Sequence, residues 1–518
     1  MDGIKLKNIF IGYADGETEA NSQEHNFLDL FYTGNSKYEE ICKINSFIIS
    51  GRKGTGKTIL AQYVIHVSND KYKNLISKYI KLPNDIKEYE FIEKNYSDIS
   101  EEEYNLFIKY YILRALAAIV INNKVSMRKY FQDDSKVSYF GKIHNYFRYC
   151  FSLNKIKKML EERYQKGNFD FRLVQTEEKN GYNLENEGNL KVAKTRGGAS
   201  SEVVNKYERR LKKFIEMIRE FEKMIFDVVR VNPVLVVFDD IDDINKYIVD
   251  YKNQKKFLIL FIKCIKEINT ELQKCNSLNK CIIIIRDDIL NSLNAFDSNL
   301  NKTIVDAEVN LDWVGNNQQE MLLDMFFTKI SKCSPRFTTM PVQKIREEII
   351  AGNKRDIKYK LNYIIDRGFG RPRDVITYFG KIIKNNSDAE KIDFNMIKSA
   401  QNEYSSSFWS ELKNELSFYY EYEYINAVEL FLSSFGKKNF TYAEVEEYYN
   451  NHREQYLCIN DFNSFMNMLY SFGIVGNFRY ESENRGKASF SYRKDGHNKL
   501  NIEDKITVHF GLRPVFNL

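Results

Sequence analysis

The octapeptide Gly51-Arg52-Lys53-Gly54-Thr55-Gly56-Lys57-Thr58 satisfies the spacing GxxxxGK[ST] at every fixed position. That spacing suits phosphate: glycines let successive backbone N–H groups converge on an anion, the lysine reaches β- and γ-oxygens, and the threonine hydroxyl ligates Mg2+. A helix starting there adds the positive end of its dipole. Gly51, Gly54, Thr55, Gly56, Lys57, Thr58 and Ile59 are therefore the candidate nucleotide contacts, with ATP and Mg2+ as the expected cofactors.

A Mg2+-nucleotide also calls for a carboxylate and for a group that orients the attacking water. Val234-Leu235-Val236-Val237-Phe238-Asp239-Asp240 ends an apolar run in two aspartates, at the strand end where α/β sheets place ligands. Asp239 is expected to hold Mg2+ together with Thr58, because a carboxylate just past a buried strand is costly unless it meets a cation. Asp240 is expected to polarise the water, while Asp242 and Asp243 read more simply as helix caps. Two arginines complete the candidate catalytic set of Lys57, Asp239, Asp240, Arg286 and Arg373. Arg373, in Gly370-Arg371-Pro372-Arg373-Asp374, is placed to meet a γ-phosphate. Arg286 follows the apolar run 281–285, and both a phosphate role and an ion pair with Asp287 or Asp288 stand for it.

Positioning these groups requires a sheet. Residues 46–50 (SFIIS) read as a strand that stops at Gly51, and Ile59, Leu60, Val64 and Ile65 then recur at helical spacing. Further strands are expected at 79–82, 234–238, 281–285 and 304–311 (IVDAEVNL). Continuous apolar strands separated by helices indicate a parallel sheet covered on both faces, an α/β core. Roughly 150 residues separate the second and third strands, far more than one crossover helix needs. A mainly helical insertion is expected there, opened by a capping box at Ser100-Glu101-Glu102-Glu103 and including helices over 153–165 and 203–230, with 176–201 a polar loop or hairpin.

Residues 316–400 carry helical periodicity, broken at Gly368-Phe369-Gly370 and restarted by Pro372, which suits a first helical turn. After about residue 421 the pattern becomes helix, helix, hairpin: a capping box at Thr441 and Glu444, an amphipathic helix over 461–472 closed by Gly473, and alternating segments at 474–480, 488–493 and 505–510. Two helices followed by a β-hairpin make the pattern of a winged helix. The division expected is a core over 1–83 and 231–315, an insertion over 84–230, a helical lid over 316–410 and a winged-helix domain over 411–518.

The chain has 518 residues and a net charge of +6, a mild excess that permits nucleic-acid contact without requiring it. The longest apolar runs are of strand length, not the ~20 residues of a membrane span. The N-terminal residues lack an apolar targeting segment, and a cytoplasmic location without membrane attachment is expected. Seven cysteines without CxxC spacing read as reduced and structural.

The order of parts, GRKGTGKT, FDDIDD, a strand ending in Arg286-Asp287-Asp288, GRPRD and then a winged helix, resembles bacterial P-loop ATPases of the origin-recognition-like AAA+ group, close to the STAND switch ATPases. The likeness covers about residues 8–83, 231–400 and 421–518 and leaves the insertion unexplained. It implies an AAA+ core with a helical lid, a sensor-2 arginine that maps onto Arg373, oligomer formation, and ATP-dependent DNA association or ATP-gated signalling, in several members within antiphage defence. Asp240 stands where the group usually has glutamate, and Arg286 where a polar sensor-1 residue is usual; both departures favour a slow switch over a fast motor. Two outputs follow. In the first, nucleotide state controls association with double-stranded DNA through a basic wing of Arg479, Arg485, Lys487, Arg493 and Lys494, with Tyr480 and Tyr492 interleaved. The second is a nucleotide-gated interaction module that hydrolyses little and controls a separate effector protein. The second helix of the module carries no Arg or Lys, with Phe462, Phe465, Met466, Leu469 and Tyr470 on a core face and Asn463, Ser464 and Asn467 outside.

Overall fold

In the computed structural model the described residues are 4–22, 25–82, 101–131, 138–166, 215–246, 251–314, 318–482, 485–493 and 499–518. They form two compact units, one of Met1–Glu40, Ser50–Tyr63 and Asn310–Leu518, the other of Ile41–Ile49 and Val64–Val309.

The second unit is built on a sheet with strand order β2-β3-β4-β1-β5. The strands are β1 (Ile48–Ser50), β2 (Ile76–Lys81), β3 (Val234–Asp239), β4 (Lys280–Ile285) and β5 (Glu308–Asn310). The β2–β3 and β3–β4 pairs run parallel. The expected α/β core is present, and every residue of β3 is buried, as a strand covered on both faces should be. Two side chains hold strand starts in register. Asn279 accepts from the Val234 amide (2.8 Å) and donates to Leu272 O (2.9 Å), and Asn269 takes both backbone groups of Cys281, at 2.7 and 2.8 Å. Buried main-chain groups at a strand's first residues need such partners because the ladder has not yet begun.

The second unit also contains the helices α2 (Glu101–Asn122), α3 (Tyr139–Lys166), α4 (215–231), α5 (Tyr251–Cys275), α6 (Asp287–Phe296) and α7 (Leu300–Ala307), and from Val64 onward the helix α1 (Lys57–Lys71). Phe257 and Phe261 of α5 carry its packing, meeting Tyr104 of α2 and Phe238 of β3 at ring distances of 6.3 and 5.5 Å. The segment 304–311 is not one strand as its apolar run suggested. Leu300, Thr303, Ile304 and Ala307 are buried at helical spacing, so most of the run closes α7 and only Glu308–Asn310 pairs. The second strand starts earlier than expected, at Ile76, because parallel pairing with Val234 draws in its polar first residues.

The apolar stretch in α2 exceeds strand length. Among the described residues, Tyr104–Asn122 is the one helix long and apolar enough to cross a membrane, and 61% of it is buried inside the protein. It serves here as a core helix. Ser100, residues 176–201 and the first part of the expected 203–230 helix lie outside the described residues. No disulfide joins the seven cysteines.

The first unit contains helices α8 (Gln318–Cys333), α9 (Val342–Ile349), α10 (Lys354–Ile365), α11 (Pro372–Asn385), α12 (Phe394–Ser399) and α13 (Gln401–Leu416). Pro372 occupies the first turn of α11, and the stacked rings of Tyr378 and Tyr404, 4.5 Å apart, join α11 to α13. There follow α14 (Tyr422–Phe435), β6 (Asn439–Phe440), α15 (Tyr442–Asn451), α16 (Phe462–Ser471), β7 (Val475–Ser482), β8 (Arg485–Ser489) and β9 (Lys505–Val508), with sheet order β6-β9-β7-β8. The Thr441–Glu444 capping box forms in full. On α16, Phe462, Phe465, Met466, Leu469 and Tyr470 are buried, and Asn463, Ser464 and Asn467 exposed. The hairpin is tighter than its polar linker implied, with Ser482 paired to Arg485, so that β8 ends at Ser489 rather than covering 488–493. One apolar cluster runs from Leu6 through Phe326, Tyr378 and Phe431 to Phe516. The boundary expected at 410/411 falls inside the continuous helix α13.

Candidate functional site

Gly51, Gly54 and Gly56 have φ of 145°, 84° and 98°, conformations costly for residues with a Cβ. At Gly51 a Cβ would lie 2.7 Å from Leu311 O, and at Gly54 it would press on Arg373 Cβ at 3.1 Å. Gly56 differs: its nearest neighbour would be the Ile59 side chain at 4.0 Å, which leaves the backbone accessible to a ligand. The loop is braced from within by Thr55 Oγ1, which donates to Arg52 O (2.8 Å). Buried Trp313 donates from Nε1 to Thr55 O (2.9 Å). Lys57 Nζ donates to Gly51 O (2.7 Å) and Arg52 O (3.1 Å), so the ammonium lies along the loop's inner carbonyls. Open backbone at Gly56, a lysine at the loop and Thr58 in the first turn of α1 make a donor set that fits phosphate.

The Gly370–Asp374 element packs on this loop. Arg373 lies against it: its amide donates to Gly54 O (3.3 Å), the foot of its side chain faces Gly54, and its Nε donates to Ala14 O (3.0 Å). The buried guanidinium is that of Arg371. It chelates Asp374 (3.0 and 2.9 Å), donates to Lys53 O (2.7 Å) and reaches Glu415 (3.0 Å) and Glu411 (3.4 Å). Burial alone would lower its pKa; the Asp374, Glu415 and Glu411 carboxylates outweigh that and raise it, so Arg371 stays charged. Glu411 is pushed up in turn, by burial first, against the opposing pull of Arg371.

Arg52 extends the network. Its guanidinium stands 3.8 Å from the Phe369 ring centroid, donates to Phe472 O at the end of α16 (2.9 Å) and meets Glu415 at 3.4 Å. Glu415 on α13 thus receives one arginine from the phosphate loop and one from the GRPRD element. Sequence reasoning missed Arg52, Arg371, Trp313 and Glu415. The spacing between Arg371 and Asp374, that of an N-cap and its N3 residue, was the only signal, and it marks a helix start rather than a long-range anchor.

Two of the five basic residues expected on the wing are held in ion pairs. Arg479 pairs with Asp504 (2.7 Å) and Arg493 with Asp366 (2.9 Å). Lys487 is exposed, whereas Lys494 and the side chains of Arg485 and Tyr480 lie outside what is described. Tyr492 is turned inward, its hydroxyl 2.9 Å from His509 Nε2, and burial raises its pKa to about 12.

In the second unit, Asp239 ends β3. Tyr79 donates its hydroxyl to Asp239 Oδ2, and Oδ1 accepts from the Asp240 amide (2.7 Å). Asp240 adopts φ of 56°, a left-handed conformation that costs about 1 kcal/mol in a non-glycine residue. Its carboxyl is pushed up to about 7, first by burial and then by Asp239, Asp243 and Asp242, against a lowering pull from Lys81. Two adjacent carboxylates, one disfavoured in its charged form, suit a divalent cation. Asp242 and Asp243 occupy the first turn of the short 3-10 helix Ile241–Lys246. Arg286, the N-cap residue of α6, chelates Asp288 at 3.0 and 2.5 Å, the ion-pair alternative for this residue.

The chain matches no curated protein. Residues 320–413, the helical segment that carries Arg371, Arg373, Asp374 and Glu411, are similar to the FunZ-associated C-terminal helical domain.

Proposed function

We propose that this protein is a P-loop ATPase that works as a slow nucleotide-controlled switch, as its resemblance to AAA+ and STAND ATPases implies. ATP would be held by Gly51, Gly54, Thr55, Gly56, Lys57, Thr58 and Ile59, with Mg2+ on Thr58 and Asp239. These assignments rest on the order of motifs along the chain. Bound Mg2+ would neutralise charge on the transferred phosphoryl group. Asp240 would orient the water, and Arg373 would respond to the γ-phosphate.

One observation carries the switch reading: Glu415 takes both Arg52 of the phosphate loop and Arg371 of the GRPRD element, while Arg52 also holds Phe472 O. To bind a triphosphate, Lys57 must exchange its bonds to Gly51 O and Arg52 O for phosphate oxygens. Of the two carbonyls released, that of Arg52 belongs to the residue that holds Phe472 O, which links nucleotide state to the C-terminal module.

For the output, the Arg479–Asp504 and Arg493–Asp366 pairs favour control of a separate protein effector over DNA contact by the wing, since both guanidinium groups already have carboxylate partners. Cytoplasmic action, oligomer formation and a setting in antiphage defence belong to the same proposal.

The test is steady-state ATP hydrolysis and ATP binding by the purified chain and by Lys57→Ala, each with and without duplex DNA. Loss of a charge-assisted contact to phosphate should weaken ATP binding by about 10- to 100-fold in Lys57→Ala. Binding with slow turnover that DNA does not change supports the protein-directed switch. Turnover that rises with DNA returns the DNA-coupled reading, and ATP affinity equal in both chains sinks the proposal.

A further inference from the structure

Tyr79 and Asp239 meet across two neighbouring strands. β2 and β3 run parallel with Tyr79 opposite Val237 and Lys81 opposite Asp239. Side chains two apart along a strand point to the same face of a sheet, and so do those in register on paired strands. Tyr79 and Asp239 therefore share a face, one position out of step. The half-buried tyrosine leans along its strand to close that step and donates its hydroxyl to Asp239 Oδ2.

The other oxygen of the same carboxylate, Oδ1, accepts from the Asp240 amide at 2.7 Å, and Asp239 as a whole is 7% exposed. The final torsion of an aspartate is soft, with a broad range of allowed angles. One donor on one oxygen would leave the carboxylate free to turn; a second donor on the second oxygen removes that freedom. Being neutral, the phenol does this without cancelling the charge that draws a cation. Carboxylates that bind metal are as a rule held by hydrogen bonds from residues behind them, and loss of such a partner weakens metal binding even though it never touches the ion.

We propose that Tyr79 is a positioning residue for Mg2+, holding Asp239 in the orientation in which that carboxylate receives the ion. The inference rests on the reading of Asp239 as a Mg2+ ligand. Nothing in the spacing of the phosphate loop or of the aspartate pair marks Tyr79; it is singled out by the register of β2 on β3.

The test uses the full chain with mant-ADP as a fluorescent probe, titrated with Mg2+ at fixed nucleotide. In Tyr79→Phe, which removes the hydroxyl and keeps the ring, the Mg2+ concentration for half of the metal-dependent binding should rise about tenfold or more, while binding in EDTA and the urea unfolding midpoint stay as they are. Replacing Tyr79 by para-aminophenylalanine, which returns an N–H donor to the same place, should restore most of the Mg2+ affinity. Asp239→Asn tests the underlying reading. If it leaves the Mg2+ requirement unchanged, Asp239 is not a ligand, and that reading falls together with the inference. If Asp239→Asn raises the requirement but Tyr79→Phe does not, the inference alone is overturned. It is likewise overturned if Tyr79→Phe weakens binding equally with Mg2+ and in EDTA, the result of a merely structural role, or if para-aminophenylalanine restores nothing.

Discussion

Arg371 donates from Nη1 to the carbonyl oxygen of Lys53, 2.7 Å away, and so fastens the GRPRD element to the phosphate loop. The same side chain is 3% exposed and chelates Asp374, itself 6% exposed. A buried cation of this kind is costly alone and is retained only with its partners.

Arg371→Ala should therefore destabilise the first unit by about 3–5 kcal/mol, because Asp374 and Glu415 would be left buried without their cation. Arg371→Lys should recover only a minor part, since an ammonium cannot chelate a carboxylate as a guanidinium does. Chemical unfolding followed by circular dichroism measures both, and a loss below about 1 kcal/mol for the alanine variant would mean that the network is not cooperative.

Arg286→Ala should leave ATP turnover within about twofold of the unsubstituted chain and cost about 1 kcal/mol of stability, the scale of one partly exposed ion pair. The reason is the chelate with Asp288, which occupies both Nε and Nη2. Steady-state hydrolysis separates the two roles: a drop of 100-fold or more would assign Arg286 to the phosphate after all.

Stability of the first unit should fall as pH drops below about 6.5, the ordinary histidine value. His509 is buried, its Nδ1 accepts from the Gly511 amide (3.2 Å), and its proton therefore sits on Nε2 facing Tyr492. Burial lowers its pKa well below the usual value, and Arg493, Arg52, Arg513 and Arg367 lower it further. With the folded pKa depressed, only the unfolded chain takes up the proton, so stability is intact above 6.5 and declines below it, by at most about 1.4 kcal/mol per pH unit. Urea unfolding between pH 5 and 7 should show a shallower slope for His509→Asn; identical slopes in both chains would remove His509 as the cause.

Much of the scaffold was legible before any tertiary contact was known. VLVVF and CIIII stand out as buried strands because both faces of a covered sheet demand apolar side chains. Pro372 and the Thr441–Glu444 pair announce helix starts through local chemistry. IVDAEVNL misled because apolar residues at helical spacing can also read as a short continuous run, and its length does not separate the two. The candidate site was legible as a loop but not as a network. GRKGTGKT dictates its own positive-φ turns, whereas Arg52 and Arg371 occupy positions that motif spacing leaves open.

By itself, then, the sequence determined the local geometry: a glycine loop between strand and helix, an aspartate pair closing an apolar strand, and the caps that begin helices. These depend on neighbours a few residues away. Only the tertiary structure decided that Arg371 rather than Arg373 is the buried arginine, that Glu415 gathers two guanidinium groups, and that Arg479 and Arg493 are spent on Asp504 and Asp366. Which charge meets which depends on contacts between residues dozens to hundreds of positions apart, and a side chain's worth is set by the burial and partners it finds there.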